Sequence, residues 1–188
     1  MVIRTRLNET NAVYFVTITC FNWINLFEIT NFYPFIYRWF NFMIAGKKKI
    51  IGYVIMPNHM HLLIYIPEDS EEINKVIGEG KRFMAYDMVK ALTELNLVKL
   101  QDFLHESVFD FEKIRGKKHQ VFRPNSDIKL CYDEDIIIQK LDYIHHNPVS
   151  GKWNLVDDYI EYPHSSAAFY ELGAPGHIRI FHYKDVWE

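Results

Sequence analysis

The chain has 188 residues, of which 49% are hydrophobic and 16% aromatic, enough apolar material for one packed domain and too much for a disordered chain. Its formal charge of −3 excludes a bulk polycation, so any contact with nucleic acid must come from a local basic patch. Cys20 and Cys131 stand far apart without CxxC spacing, which excludes a zinc ribbon or disulfide framework and suits a reducing cytoplasm.

The start, MVIRTRLNET, lacks the apolar core of a signal peptide. The first predicted strand is AVYFVTITCF (12–21), rich in β-branched and aromatic residues. A helix is expected from Asn31 to Ala45, with Pro34 in its first turn and Gly46 followed by three lysines at its end. The greasy stretch from Phe21 to Ala45 is broken by Asn22, Asn25, Glu28, Asn31, Pro34, Arg38 and Asn41. A membrane span needs roughly 18–20 nearly continuous apolar residues, so a membrane role is excluded.

Two apolar runs follow, IIGYVIM (50–56) and HMHLLIYI (59–66), separated by Pro57 and Asn58; so short a turn makes them antiparallel neighbours. A long helix is expected from near Asp69, with Asp69 and Glu72 at capping-box spacing. Its buried stripe is Ile73, Ile77, Met84, Met88, Ala91 and Leu95, with Gly78 and Gly80 marking a bend. For the fourth strand, HQVFRP (119–124) is favoured over DIKLCY (127–132). Asp133, Glu134 and Asp135 open a last helix that must end near Pro148, and the remainder reads as irregular structure packed by aromatics.

This order predicts an α+β fold, a ferredoxin-like or RRM-like antiparallel sheet with helices on one face and a C-terminal helix beyond it. A single domain is expected over 1–188, its core about 10–148 and a C-terminal extension over 149–188.

Chemistry concentrates in two places. His59 and His61 lie two residues apart on a strand, so both imidazoles emerge on one face, a common beginning for a divalent-metal site. In KLDYIHHNPVSGKW (140–153), Ile137, Leu141 and Ile144 form the apolar stripe, and Tyr143 falls about 120–130° away from it. Asn147 lies one turn beyond Tyr143 on the same side. From spacing alone, the simpler reading is a tyrosine half-buried at the domain edge, with Asn147 capping the helix.

Taken together, VIMPNHMHLL and LDYIHHNPV resemble the single-tyrosine HUH transposases, specifically the REP-associated tyrosine transposase branch. YFVTITCFNWINLF, GKRFMAYDMVKAL, HQVFRP and YPHSSAAFY extend the resemblance in order over most of the chain. It implies that His59, His61 and Asn147 hold a divalent cation, Mg²⁺ or Mn²⁺, and that Tyr143 is the nucleophile. The implied reaction is cleavage and strand transfer of single-stranded DNA at hairpin-forming sequences, through a covalent 5′-phosphotyrosine. A nucleoid-associated cytoplasmic protein follows, with a monomer favoured over a homodimer.

Candidate DNA contacts are Lys81, Arg82, Arg115, Lys117, Lys118 and Arg123, with Lys47, Lys48 and Lys49 as weaker candidates, since lysine runs are usually solvated helix ends. Phe122 stands where tryptophan is frequent in the family, Arg123 where glutamine is common, and SGKW departs after NPV, so the family's DNA-sequence preference does not carry over. The competing reading is a catalytically silent or domesticated protein that binds DNA hairpins without cutting them.

Overall fold

The computed structural model describes residues 9–187. Four strands, β1 (Ala12–Thr19), β2 (Lys49–Ile55), β3 (His59–Ile66) and β4 (Asp127–Cys131), form one antiparallel sheet in the order β2-β3-β1-β4. Helices α1 (Leu26–Ile29), α2 (Tyr33–Ala45), α3 (Ile73–Glu94), α4 (Val98–Glu106), α5 (Asp110–Lys113), α6 (Glu134–His146) and α7 (Ala167–Leu172) complete it. Among the described residues, no helix is long and apolar enough to cross a membrane.

The two central strands are buried along nearly their whole length, because both faces of the sheet are covered. One face carries Tyr14, Val16 and Ile18 of β1 and Met60, Leu62 and Ile64 of β3, packed under α2 and α3. The other carries Val13, Phe15 and Leu63 and meets Ile137, Leu141 and Ile144 of α6. The two crossover helices thus share one face, as the sequence predicted, and the C-terminal helix α6 covers the opposite one. Gly52 of β2 makes the close approach of α6 possible: a Cβ there would stand 2.5 Å from Leu141 Cδ2.

The fourth strand is DIKLC, not HQVFRP. The latter contributes a single bridge, Cys20 to Phe122, and the ladder then stops at Pro124, which has no N–H to donate. The segments run end to end along the same edge of β1. The Asp69–Glu72 capping box does not form, since α3 begins at Ile73 with Glu72 as an N-cap that makes no side-chain bond. Nor does Gly80 bend α3, which runs unbroken; it lets the Trp39 ring of α2 approach to 2.4 Å from where a Cβ would lie. The stretch between residues 96 and 118, left unassigned above, holds α4 and α5.

The C-terminal segment is ordered against the sheet and not simply irregular. It covers the β2 edge through Ile55 N–H to His164 O, Ser166 N–H to Tyr53 O and Phe181 N–H to Ile50 O, and includes α7. His145 of α6 joins this seam, its Nε2 lying 2.9 Å from the buried Ser166 hydroxyl.

Candidate active site

The strand register builds the site. Thr17 and Thr19 of β1 lie directly opposite His61 and His59 of β3, so two hydroxyls and two imidazoles share the face beneath α6. Thr17 Oγ1 meets His61 Nδ1 at 2.9 Å. In the β2–β3 turn, the Asn58 amide donates through Nδ2 to Trp23 O at 2.7 Å and Asn25 Oδ1 at 3.1 Å. Its Oδ1 is left to accept from His59 Nδ1 at 2.8 Å. His59 therefore carries its proton on Nδ1 and presents the Nε2 lone pair.

Both rings are almost wholly buried and stand edge to face, with centroids 4.9 Å apart. Burial lowers the pKa of His59 to about 4, with Lys152 adding to the effect and the Asn147 side chain opposing it. Burial also takes His61 down to about 3, reinforced by His59 and Lys140. Both imidazoles are neutral at physiological pH, the state in which nitrogen can ligate a metal.

Asp133 caps α6 by accepting the Ile136 N–H at 2.8 Å, and its apolar stripe seats the helix on the sheet. Lys140, Tyr143 and Asn147 share another stripe of that helix, at i, i+3 and i+7. Tyr143 is 49% exposed, its hydroxyl 3.5 Å from His61 Nε2 and its ring 5.1 Å from the His61 ring. The 3.5 Å contact sits at the outer limit of hydrogen bonding. At Asn147 the helix tightens into a 3-10 turn, Asn147–Val149, and its buried side chain stands near enough to His59 to oppose the lowering of its pKa. His59, His61, Tyr143 and Asn147 thus converge within a single chain, while His146 turns back to Asp142 and His145 to the C-terminal seam.

The donor set fits a divalent cation. Both Nδ1 atoms are occupied by Asn58 and Thr17, leaving two Nε2 atoms and the Asn147 amide to ligate. Among the described residues, no cluster of three or more His, Cys, Asp and Glu could hold a metal, so a third protein ligand would have to be a group of another type, such as that amide. The set is neutral, which leaves room for an anionic substrate to complete the coordination.

Cations ring this site. Lys140 Nζ lies 5.2 Å above the Phe15 ring, which stacks on His61 at 5.4 Å. Lys152 Nζ lies 5.4 Å over Trp153, and the Arg123 guanidinium 5.8 Å over Trp23. The two indoles contact His59 at 5.8 and 5.5 Å. The charged side chains that perturb the histidines, Lys140 and Lys152, are both positive. A protein of net charge −3 therefore presents a locally positive centre.

Of the basic residues picked from the sequence, Arg123 alone reaches this ring. Lys81 donates to Arg123 O at 2.7 Å, Pro124 O at 3.1 Å and Ser126 Oγ at 3.3 Å, tying α3 to the loop that carries Arg123. Arg82 is exposed on α3, the helix on the other face, with its guanidinium over Phe83. Arg115 and Lys118 are exposed beyond α5, and Lys117 pairs with Glu112 at 2.9 Å. Lys47, Lys48 and Lys49 stand at the far end of β2 from the histidines, and Lys49 donates to the carbonyls of Asp185 and Val186. Sequence reasoning missed Thr17, Asn58, Trp23, Lys140 and Lys152; only Lys140, three residues before Tyr143, was open to the helical spacing already in use.

The architecture is a ferredoxin-like sheet with helices laid over both faces, and here paired histidines lie under a tyrosine-bearing helix; the fold is similar to that of a REP-associated tyrosine transposase. A solved structure of such a transposase bound to a REP hairpin is similar over 98% of this chain and 96% of its own, with a TM-score of 0.66 and 16% sequence identity. No protein-family model matches the chain, and no curated protein matches it in sequence.

Proposed function

We propose that this chain is a metal-dependent transesterase that cleaves and rejoins single-stranded DNA beside hairpins, with Tyr143 as nucleophile. The observation that carries the reading is the approach of the Tyr143 hydroxyl to 3.5 Å from His61 Nε2, inside a ring of cations suited to a phosphodiester. The hairpin-bound neighbour supports a hairpin substrate here. The same approach within one chain supports a monomer that acts on its own, at the nucleoid where such DNA is found.

His59 Nε2, His61 Nε2 and the Asn147 amide would hold Mg²⁺ or Mn²⁺. When bound, the cation supplies Lewis-acid polarisation of the scissile phosphate. The chain's own residues do the rest. Thr17 and Asn58 fix the imidazole orientations, α6 delivers the phenol, and Lys140, Lys152 and Arg123 attract the phosphate backbone. The Tyr143 oxygen bonds to phosphorus as the bond to the 3′ oxygen breaks. The phenol loses its proton, the departing oxygen gains one, and the strand remains attached as a 5′-phosphotyrosine. One phosphodiester replaces another, so a new 3′-hydroxyl can reverse the step without a nucleoside triphosphate.

A hairpin oligonucleotide with single-stranded flanks, incubated with Mn²⁺ and run on a denaturing gel, tests this. The expected result is a protein-linked band that disappears in Tyr143→Phe. Binding without any such band in the unaltered protein would establish the silent hairpin-binding alternative.

A further inference from the structure

We infer that Trp23 is a stacking platform for an unpaired base next to the reacting phosphate, with Arg123 beside it to meet the adjoining backbone phosphate. The inference rests on the single-stranded DNA reading above and adds a specificity-determining contact to it.

Three independent features single out Trp23. Trp23 is 49% exposed although its ring adjoins the buried His59, edge to face at 5.5 Å. Asn22 and Trp23 both hold positive φ, 50° and 58°, a left-handed conformation that a bulky residue adopts only when its surroundings enforce it. Asn58 enforces it by donating to Trp23 O at 2.7 Å, and its Oδ1 meets His59 Nδ1, so one amide sets both the platform and the imidazole. Finally, the Arg123 guanidinium stands 5.8 Å over the ring, and among the described residues it has no carboxylate partner. Its backbone is pinned, with N–H donating to Thr19 O at 2.9 Å and C=O accepting from Lys81 at 2.7 Å.

An open aromatic ring with a cation over it is the chemistry that takes a base and its phosphate from a flexible strand. A duplex, its bases stacked on one another, could not use it. Trp153, which also adjoins His59, is half-buried and packed against the core cluster that includes the apolar stripe of α6, so it is not assigned this role.

The test measures binding apart from cleavage, in the Tyr143→Phe background, by fluorescence anisotropy of a labelled 15-residue oligothymidylate and an abasic strand of equal length and charge. The expected result is tighter binding of oligothymidylate. Trp23→Ala should weaken it about tenfold, to the abasic level, leave abasic binding unchanged, and be largely rescued by Trp23→Phe. Arg123→Ala should weaken both strands alike and flatten their salt dependence. Equal affinity of the parent for both strands, no measurable oligothymidylate binding, or unaltered binding by a folded Trp23→Ala would each overturn the inference. Adduct formation is scored separately with Tyr143 intact, so a failed platform and a failed nucleophile give different results.

Discussion

Asn58 is the residue on which the histidine face turns. It accepts from His59 Nδ1 and donates to Trp23 O, so its loss leaves a buried N–H unpaired and frees the strained turn at the same time. Unpaired buried donors cost about 1–3 kcal/mol, and loss of a hydrogen bond that orients a ligating histidine typically weakens metal affinity about 10–100-fold. Asn58→Ala should therefore lower the melting temperature and weaken Mn²⁺ binding by that factor in isothermal titration. Unchanged Mn²⁺ affinity in the folded variant would remove Asn58 from the site. Strand alternation and helical spacing, both local rules, put the histidine pair on one face and Tyr143 off the apolar stripe, but only the family resemblance gave the tyrosine a role. The sequence could not carry Thr17, which meets His61 through a cross-strand register spanning 44 residues, nor Trp23, which reaches His59 through a loop.

Elements are placed by close approaches that only glycine allows, and α3 offers a controlled comparison. Gly78 is exposed and a Cβ there meets nothing within 4 Å, whereas at Gly80 it would fall 2.4 Å from the Trp39 ring. Gly78→Ala should stabilise the protein by about 0.4–1 kcal/mol through the unfolded chain, and Gly80→Ala should destabilise it by about 1–3 kcal/mol. Urea unfolding of the two variants reads the signs directly; equal shifts would refute the packing account of Gly80. Helix composition revealed that two glycines were present but could not say which one faced α2. The fourth strand was misread for a related reason. HQVFRP has strand-like composition, but Pro124 ends its pairing after one bridge, while the half-exposed DIKLC edge has a weaker apolar signal and yet completes the ladder.

The molecule as a whole buries neutral histidines, and this sets its response to acid. His59, His145 and His164 are each lowered to about 4 and His61 to about 3, burial being the leading cause in every case. The unfolded chain takes up protons at these groups near pH 6.5 and the folded chain only well below it. Stability contributed by these groups is present above pH 6.5 and is lost as pH falls toward 4, by up to about 1.4 kcal/mol per pH unit for each of the buried His59, His61 and His145, and by less for the half-buried His164. Thermal melts in metal-free buffer between pH 7 and 4.5 should shift steadily downward, and His164→Gln, away from the His59–His61 face, should make the slope shallower. A melting temperature independent of pH over that range would contradict the burial of these rings. Overall topology was legible from the order of strands and helices, since the hairpin at Pro57–Asn58 and the two crossovers leave few arrangements. The C-terminal cover of the β2 edge was not, because its pairing depends on backbone hydrogen bonds from a segment without periodic pattern.

The most direct examination is peptide mapping of the covalent complex by mass spectrometry, after reaction of a hairpin substrate with Mn²⁺. The account predicts a 5′-phosphorylated nucleotide on the peptide containing Tyr143, together with a released strand ending in a 3′-hydroxyl. Attachment at any other of the chain's 12 tyrosines, or cleaved DNA bearing a free 5′-phosphate with no protein attached, would contradict it.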